Sequence, residues 1–522
     1  MKNRIGNLAI PLALLAFTSV PALAVVSPPT AFRLIFEPSI GPIIQAIGTH
    51  RGDFYVLEAS TNLSGNWNSV LTNIAGSQLV FNFSYSSQIP QGPEVFFRAV
   101  DTTLLFAPLE PYYTFPATVL ETNNDGASPQ GGLVLSGSPA NGAFAAYGTT
   151  EAAGVAGSGT VFALLPGVNF GSVTATNLYS FTAPDPITDT NSDGANPSAE
   201  LLLSGSALYG TAEYGGSDGD GTIFAVNTNG VGFRVLHSFT ALDSNTGTNA
   251  DGADPVFVQL ILSSNILYGT TSAGGAGGAG TVFSVNTNGS DFTVLHSFAA
   301  LDATTGTNCD GANPAAGLIL SGNTLFGCAY DGGSFGKGTV FAINTDGCNF
   351  TNLHDFTAVD ATTETNNDGA YPSSTLVLSD NTLFGTAYEG GTHGNGTVFA
   401  LGTDGSNFKD LYSFTTLDAE TNSDGANPIA GLILERAKLY GTASFGGPNG
   451  TGTVFAINTD GSSFTNLQSF AALQYDDTSS QYTNSHGAYP YAPLTVTPTG
   501  LIGTATEGGM NGNGVVFTLG FQ

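Results

Sequence analysis

Positive charge is scarce in this sequence: 10 lysines and arginines stand against 40 aspartates and glutamates, and the formal net charge is −30. Proteins that bind nucleic acids neutralise phosphate groups with basic patches, which so few cations cannot build. The composition therefore excludes nucleic acid as a partner and favours a soluble protein that attracts cations.

Cysteine and long apolar runs are scarce as well. The three cysteines are Cys309, Cys328 and Cys348, too few for the disulfide framework that holds many small secreted proteins together. Beyond residue 24, no apolar run approaches the roughly 20 residues that a membrane-spanning helix needs. We therefore expect no membrane span in the mature chain.

The first residues have the pattern of a targeting segment. Lys2 and Arg4 precede an apolar run over residues 8–17, and the small residues Ala22-Leu23-Ala24 follow it. This order is typical of a secretory signal peptide. We therefore predict that residues 1–24 are removed and that the protein is exported, either to the cell surface or into the extracellular medium.

What the sequence has in abundance is repetition. A Gly-Thr-Val-Phe box, or a close variant of it, recurs seven times at intervals of 56 to 62 residues. The phenylalanines of the boxes are Phe162, Phe224, Phe283, Phe341, Phe399, Phe455 and Phe517. A period of this length indicates a repeat architecture with one structural unit per copy.

Each copy contains four short candidate strands separated by turn residues. In the fourth copy they span residues 316–321, 324–331, 338–344 and 350–356. Asp346-Gly347, between the last two strands, favours a tight hairpin, because these residue types adopt the positive φ angles of such turns. The pattern therefore predicts a four-stranded antiparallel meander.

The third strand of each copy is apolar at almost every position, as in the segment TVFAI at residues 339–343. A sheet with one face in water would alternate between apolar and polar residues. Both faces must therefore be buried, as they are when sheets stack on copies of themselves in a propeller. We predict that residues 107–522 form a seven-bladed β-propeller of four-stranded blades.

The two ends of the repeat region complement each other. The last copy stops at Gln522, just after its third strand, and a candidate fourth strand lies ahead of the first copy. There the segment YYTF at residues 112–115 matches LYSF at residues 178–181. We predict that residues 109–116 pair with the last blade, because this closes the ring and covers an exposed strand edge.

Residues 25–106 do not carry the repeat. They contain alternating segments, such as residues 54–59 and 96–100, with turn residues between them, and they include the only tryptophan, Trp67. This pattern predicts a small all-β accessory domain of the sandwich type.

Three motifs recur over the repeat region: Leu-Tyr-Gly-Thr-Ala-x-x-Gly-Gly, Gly-Thr-Val-Phe-Ala-x-Asn-Thr-Asp-Gly and Leu-His-Ser-Phe. In these motifs the region resembles the GloVer ("choice-of-anchor") tandem-repeat family of exported bacterial proteins. The resemblance implies extracellular placement and no assigned chemistry. Some members end in a sorting tail, and this sequence ends without one, so release into the medium is expected as readily as surface display.

A Thr-Asn-x-Asp-Gly-Ala-x-Pro box precedes the first strand of the copies, and the second copy offers calcium ligands there. Asp189, Asn191, Asp193 and Glu200 have the spacing of oxygen ligands in a twelve-residue calcium loop. The alternative is an Asp-Gly turn whose side chains cap the loop backbone. Calcium is thus the one cofactor that the sequence offers.

No catalytic set is visible in the sequence. His237, His296 and His354 occupy the same place in three copies, too far apart to share a metal ion, and are expected on the outer strands at the surface. The residues that break the repeat are Lys337, His393, His486 and the segment 435–438. They provide no combination of nucleophile, base and orienting group.

The predicted function is that of a non-enzymatic, exported module for binding or display. Recognition often takes place on loops that a rigid scaffold positions, so a glycan or protein ligand is expected at the rim that carries the seven Asp-Gly loops. Seven similar loops favour repeated weak contacts with a polymer. The alternative is a glycan-active hydrolase or lyase that uses acidic loop residues. We expect a monomer.

Overall fold

The structure is a computed structural model of the chain. It describes six strands between residues 31 and 101, and residues 109–520 apart from 139–142, 167–172, 436 and 478–479. The predicted signal peptide, residues 1–24, lies outside the described residues. The chain divides into two compact units at residues 105 and 106. Within the described part of the chain every element is a strand, and no helix is long and apolar enough to cross a membrane.

The first unit contains two antiparallel sheets of three strands each. Its strands are β1 (Ala31–Glu37), β2 (Gly41–Ile47), β3 (Phe54–Ser60), β4 (Asn68–Ile74), β5 (Leu79–Asn82) and β6 (Phe96–Asp101). The strand orders are β1-β2-β5 and β4-β3-β6. The described part of this unit is therefore all-β.

The second unit begins with β7 (Glu110–Thr114) and continues with seven antiparallel sheets, the blades. Blades 1 to 3 contain β8 (Val134–Ser138), β9 (Ala143–Thr150), β10 (Thr160–Pro166), β11 (Val173–Ser180), β12 (Leu202–Ser204), β13 (Ala207–Ala212), β14 (Thr222–Asn227), β15 (Arg234–Ser238), β16 (Ile261–Ser263), β17 (Ile266–Thr271), β18 (Thr281–Asn286) and β19 (Thr293–Ser297).

Blades 4 to 7 follow the same plan. Their strands are β20 (Ile319–Ser321), β21 (Thr324–Ala329), β22 (Thr339–Asn344), β23 (Thr351–Asp355), β24 (Ala370–Pro372), β25 (Val377–Ser379), β26 (Thr382–Glu389), β27 (Thr397–Gly402), β28 (Lys409–Ser413), β29 (Ile433–Glu435), β30 (Lys438–Ala443), β31 (Thr453–Asn458), β32 (Thr465–Ser469), β33 (Gln474–Asp476), β34 (Gln481–Thr483), β35 (Thr495–Thr497), β36 (Gly500–Ala505) and β37 (Val515–Gly520). The short β24 adds a fifth strand to blade 5, and β33 and β34 form a separate hairpin.

Every blade has the same strand register. The third and fourth strands pair with a bulge between the last two residues of the Gly-Thr-Val-Phe box, as between Val340 and Phe341. The matching interruption occurs in the other six blades. A bulge increases the local twist of a strand, so the outer strand of each blade turns away from its neighbour at the same point.

The hydrophobic core lies between blades. Phe341 and its six counterparts in the third strands are at most 1% exposed. One cluster joins Phe326 and Phe356 of blade 4 to Leu383 and Phe399 of blade 5, and similar clusters join the other neighbouring blades. Burial on both faces explains why the third strands are apolar throughout, and the predicted seven-bladed propeller is confirmed.

A glycine in each second strand makes room for the phenylalanine of the third strand. A Cβ atom at Gly385 would lie 2.6 Å from Cζ of Phe399 and 2.8 Å from Cδ2 of Leu376. The same close approach occurs at the matching glycines of the other blades. The glycine in the Leu-Tyr-Gly-Thr motif is therefore required by side-chain packing.

β7 supplies the fourth strand of blade 7. It pairs antiparallel with β37, with Thr114 opposite Val515. The neighbouring Phe115 is fully buried and packs against Leu133 and Phe162 of blade 1. The segment predicted to close the ring thus completes the last blade and contacts the first one.

The three thiols are free. Cys309 and Cys348 are exposed, whereas Cys328 is buried in the second strand of blade 4. Burial raises the pKa of the Cys328 thiol, so this residue behaves as a small apolar side chain.

Candidate functional site

A cavity lies on the axis of the ring. Its volume is about 390 Å³, and residues from all seven blades line it. Most of them come from the short segments that follow the box proline and precede the inner strand, and include Gln130, Ser198, Phe257, Ala315, Ser373, Ile429 and Tyr491. The others, such as Tyr330, Tyr388 and Phe445, lie at the ends of the second strands. Matching positions of seven blades meet at the centre of the ring, so we call this space the axial cavity.

Aromatic rings form part of the wall of the axial cavity. They belong to Phe257, Tyr330, Tyr388, Phe445 and Tyr491. Tyr388 and Tyr491 also have raised pKa values because they are partly buried, and that of Tyr491 reaches about 12. These rigid side chains combine a flat apolar face with, in tyrosine, a hydroxyl group that remains protonated.

Glu200 is the single acidic or basic side chain among the described residues that line the axial cavity. At the same position the other blades have Gly132, Gln259, Gly317, Thr375, Gly431 and Pro493. The side chain is partly exposed to the cavity, and the loss of surrounding water raises the pKa of its carboxyl group to about 8. Gly132 leaves room for it, because a Cβ there would lie 2.6 Å from Oε2 of Glu200. The carboxyl group therefore holds its proton more strongly than an exposed glutamate does.

The sevenfold pattern is broken beside Glu200. Blade 3 has one extra residue between the box proline and the inner strand, and the inserted segment places Phe257 at φ 53°. In blades 1, 3, 5, 6 and 7 the threonine of the second strand donates to a carbonyl of the next blade, as Thr149 does to Ala199 at 2.8 Å. The matching Thr211 hydroxyl is buried without a partner. Blades 2 and 3 thus depart from the local repeat at the axis.

Five carboxyl groups lie at the ends of the second strands, where the chain also supplies aromatic residues of the cavity wall. We call them the acidic collar, which consists of Glu151, Glu213, Asp331, Glu389 and Glu507. Glu151 accepts a hydrogen bond from Gln130 of the cavity, and Asp331 accepts one from Asn313 at 2.7 Å. Burial raises the pKa of all five groups. The collar concentrates negative charge next to the axial cavity.

One cation lies within this acidic surface. The ammonium group of Lys337 donates a hydrogen bond to the hydroxyl of Tyr371 and lies 4.6 Å from the centre of its ring. Tyr371 in turn stacks on Tyr330 of the cavity wall, with ring centres 5.0 Å apart. Of the departures from the repeat that the sequence showed, Lys337 belongs to the cavity surroundings, whereas His393 and His486 bond to their chain neighbours Thr392 and Ser485.

The aspartate of the Asp-Gly box is buried and bonds to an outer strand. Asp368 is 6% exposed and accepts hydrogen bonds from Nε2 of His354 at 3.0 Å and from the backbone N–H of Thr357 at 3.0 Å. His237 and His296 bond in the same way to Asp251 and Asp310. The histidines lie on the outer strands, as expected, but they are half-buried and hold the loops in place, so they are not free surface residues.

We call the hydrogen bond between a box aspartate and an aromatic side chain of an outer strand, such as Asp368 with His354, the loop lock. Tyrosine replaces histidine in three of these locks. The hydroxyls of Tyr179 and Tyr412 donate to Asp193 and Asp424 at 2.7 Å in both cases, and that of Tyr113 donates to Asp125. The same aromatic side chains also join blades, since the ring of His354 stacks on Phe408 at 3.9 Å and that of Tyr412 on Phe464 at 3.7 Å. In the seventh copy both partners differ, with Gln468 and His486 at these positions.

The four predicted calcium ligands lie in three different environments of the structure. Asp193 accepts the bonds of the loop lock, and Oδ1 of Asn191 accepts the N–H groups of Gly194 and Gly216, each at 2.8 Å. Glu200 lines the axial cavity. Asp189 is exposed and borders a second, acidic cavity of about 590 Å³ with Asp218, Asp220 and Asp254. Among the described residues no group of three His, Cys, Asp or Glu is arranged to hold a metal ion.

Calcium binding at the second loop stays a prediction. The hydrogen bonds that Asp193 and Asn191 already accept determine the affinity that we expect. An ion that competes with these bonds should bind weakly, with a dissociation constant on the order of 10⁻⁴–10⁻³ M. Calorimetric titration of the parent and of Asp189→Asn, which leaves the loop lock intact, tests this. A heat of binding unchanged by Asp189→Asn would contradict calcium at this loop.

Sequence reasoning missed the axial cavity and the acidic collar. The sequence signal for both is variation at certain positions of the otherwise regular repeat. These positions are the x of Asp-Gly-Ala-x-Pro and the two x residues before Gly-Gly. The residues at the first of these positions are Ser128, Asn196, Asp254, Asn313, Tyr371, Asn427 and Tyr489, and every member has a positive φ. Variation at a position with such a restricted backbone points to a role for the side chain.

The repeat region matches one family model. The model of the Gloeobacter/Verrucomicrobia repeat aligns with residues 107–305, 240–367 and 361–521. The chain belongs to the Gloeobacter/Verrucomicrobia repeat family. This agrees with the GloVer resemblance, and the matches of the repeat model cover all seven blades. No curated protein is significantly similar to the chain in sequence.

Several solved structures are similar to this family member in overall fold. A putative 6-phosphogluconolactonase from Bacteroides uniformis is 13% identical, with 80% of this chain and 98% of that chain covered and a TM-score of 0.38. An ulvan lyase, a polysaccharide lyase solved with a bound saccharide, is 10% identical, with coverages of 77% and 96% and a TM-score of 0.43. Trypanosoma rangeli sialidase is 10% identical, with coverages of 66% and 58% and a TM-score of 0.31. No chemistry is carried over from these similarities.

Proposed function

We propose that this protein is exported and binds glycans, without breaking them down, through the axial cavity and the acidic collar. The observation that carries the proposal is the convergence of aromatic rings and polar side chains from different blades on one cavity. Rings such as Tyr388 and Tyr491 can stack on the apolar face of a sugar, while Gln130, Asn313 and Thr375 can bond to its hydroxyl groups. The volume of about 390 Å³ is within the range of ligand cavities.

The proposed binding surface lies at the axis of the ring and not on the Asp-Gly loops, where the sequence analysis expected it. The box aspartates are occupied by the loop lock, so they are not available to a ligand. The variable side chains at the box x positions and at the ends of the second strands remain available. Specificity would therefore come from the residues in which the blades differ. The locks would keep these residues in position.

Removal of the aromatic wall should weaken binding strongly. We expect Tyr388→Ala and Tyr491→Ala each to reduce the affinity for a bound glycan by about tenfold or more, because buried tyrosines often dominate recognition. A glycan array identifies a ligand, and calorimetry on the purified full chain and on both variants gives the affinities. Tyr475→Ala is the control, since Tyr475 is exposed on the separate hairpin. Absence of binding on the array, or equal affinity of all variants, would overturn the proposal.

A glycan-active enzyme is the second candidate, and Glu200 is the observation in its favour. A carboxyl group with a pKa of about 8 can act as a general acid at neutral pH. Glycoside hydrolysis uses a pair of carboxyl groups on one bond, and within the described lining of the cavity Glu200 has no acidic neighbour. We therefore rank binding above catalysis. Product formation that Glu200→Gln abolishes would establish the enzyme instead.

A further inference from the structure

Among the described residues, no side chain or backbone N–H donates a hydrogen bond to the carboxyl group of Glu200. The side chain is partly exposed and borders the axial cavity. Its oxygens can therefore accept hydrogen bonds from a ligand in the cavity.

The surroundings of Glu200 favour a positive charge in the ligand. The five collar carboxyl groups disfavour an anion beside the cavity, and the chain as a whole carries a net charge of −30. Aromatic faces attract ammonium groups through their negative π surface. The protein already shows such a contact, because the ammonium group of Lys337 lies 4.6 Å from the centre of the Tyr371 ring.

A metal ion fits this cavity less well than an organic cation. Hard cations take several oxygen ligands, and Glu200 is the single carboxyl group among the described residues that line the cavity. Much of the remaining wall consists of phenyl and phenol rings, glycine and alanine. An ammonium group needs one counter-charge and a few aromatic or hydroxyl neighbours, which the cavity provides.

We propose that the axial cavity selects glycans with free amino groups, and that the ammonium group of one sugar unit pairs with the Glu200 carboxylate. This inference rests on the proposed glycan binding and names the class of glycan. The ammonium group would donate hydrogen bonds to the carboxyl oxygens of Glu200, between the aromatic rings of the cavity wall. An N-acetylated sugar lacks the positive charge and gains no ion pair.

The test compares two ligands that differ in N-acetylation and therefore in charge. Glucosamine and N-acetylglucosamine oligomers of equal length are titrated into the full chain by calorimetry at about pH 6, where aliphatic amino groups are protonated. We expect the amino form to bind about tenfold or more tightly, because a buried ion pair strengthens binding when its geometry is satisfied. Equal affinities of the two oligomers in the parent protein would overturn the inference.

Glu200→Gln is the decisive variant. It keeps the shape of the side chain and removes its charge, so the ratio of the affinities for the amino and N-acetylated forms should fall to about one. Glu110→Gln removes a carboxyl group from an exposed position on β7 and should keep the preference. A preference that survives Glu200→Gln would also overturn the inference.

The two proposals fail in different ways. Binding of the N-acetylated oligomer that Tyr388→Ala abolishes, without preference for the amino form, preserves the proposed function and removes this inference. Failure of every glycan to bind removes both.

Discussion

Replacement of Phe115 by alanine is expected to destabilise the propeller by about 3–5 kcal/mol, as for other buried phenylalanines. Phe115 is fully buried and lies edge-on to Phe162 of blade 1, with ring centres 5.3 Å apart. Its backbone N–H donates to the carbonyl of Gly514 in blade 7 at 3.3 Å. The side chain therefore joins the first and last blades, and its loss should open the ring at this interface.

Two controls make the Phe115 experiment specific. Phe356→Ala removes the matching ring of blade 4, which is also fully buried, and should cost the same within about 1 kcal/mol. Glu110→Ala changes an exposed residue of β7 and should cost less than about 0.5 kcal/mol. Urea unfolding midpoints measure all three. A harmless Phe115→Ala beside a destabilising Phe356→Ala would show that β7 does not close the ring in solution.

Loss of a loop lock is the second large effect. Asp368→Ala leaves His354 and the N–H and hydroxyl of Thr357 without their acceptor, and we expect a loss of about 1–3 kcal/mol. The repeat provides the matched control, because Tyr412 of blade 5 has the role that His354 has in blade 4. His354→Tyr should therefore remain within about 0.5 kcal/mol of the parent. A variant His354→Tyr that is as unstable as Asp368→Ala would contradict the lock.

The lock also predicts a dependence on pH. Burial alone would raise the pKa of Asp368, but hydrogen bonds from His354 and Thr357 outweigh burial and lower this pKa below 3.8, its ordinary value. A group with a lowered pKa in the folded state stabilises the protein above its ordinary pKa, and this contribution is lost as the pH falls through the folded value. The destabilisation by Asp368→Ala should thus be full at neutral pH and shrink below about pH 4. A penalty that is constant down to pH 2–3 would contradict the ionised lock.

The propeller itself was predictable from local patterns. The period of the Phe341 box predicts seven units, and the apolar segment around it predicts sheets that are buried on both faces. The match between residues 112–115 and the outer strands predicts the closing strand. These features depend on short segments or on contacts between neighbouring copies. Because the same contacts recur between successive blades, the residues that make them recur as a pattern in the sequence.

The roles of the loop residues were harder to predict. The spacing of Asp189, Asn191, Asp193 and Glu200 resembles a calcium loop, but spacing along the chain does not determine where side chains point. In the structure Asp193 faces the outer strand of the preceding blade, whereas Glu200 reaches the axis. The separation arises because the chain turns from the loop into the inner strand between these two residues.

The sequence by itself determined the composition class, the number of blades, the strand pattern and the lack of a basic surface, because each depends on residue counts or on a short repeated pattern. Only the tertiary structure decided which departures from the repeat act together. Glu200, Tyr388 and Tyr491 are separated by roughly one hundred residues or more along the chain, yet they line one cavity. They meet because closure of the ring brings the same position of every blade to the axis, and this convergence is a property of the whole ring that no single copy contains.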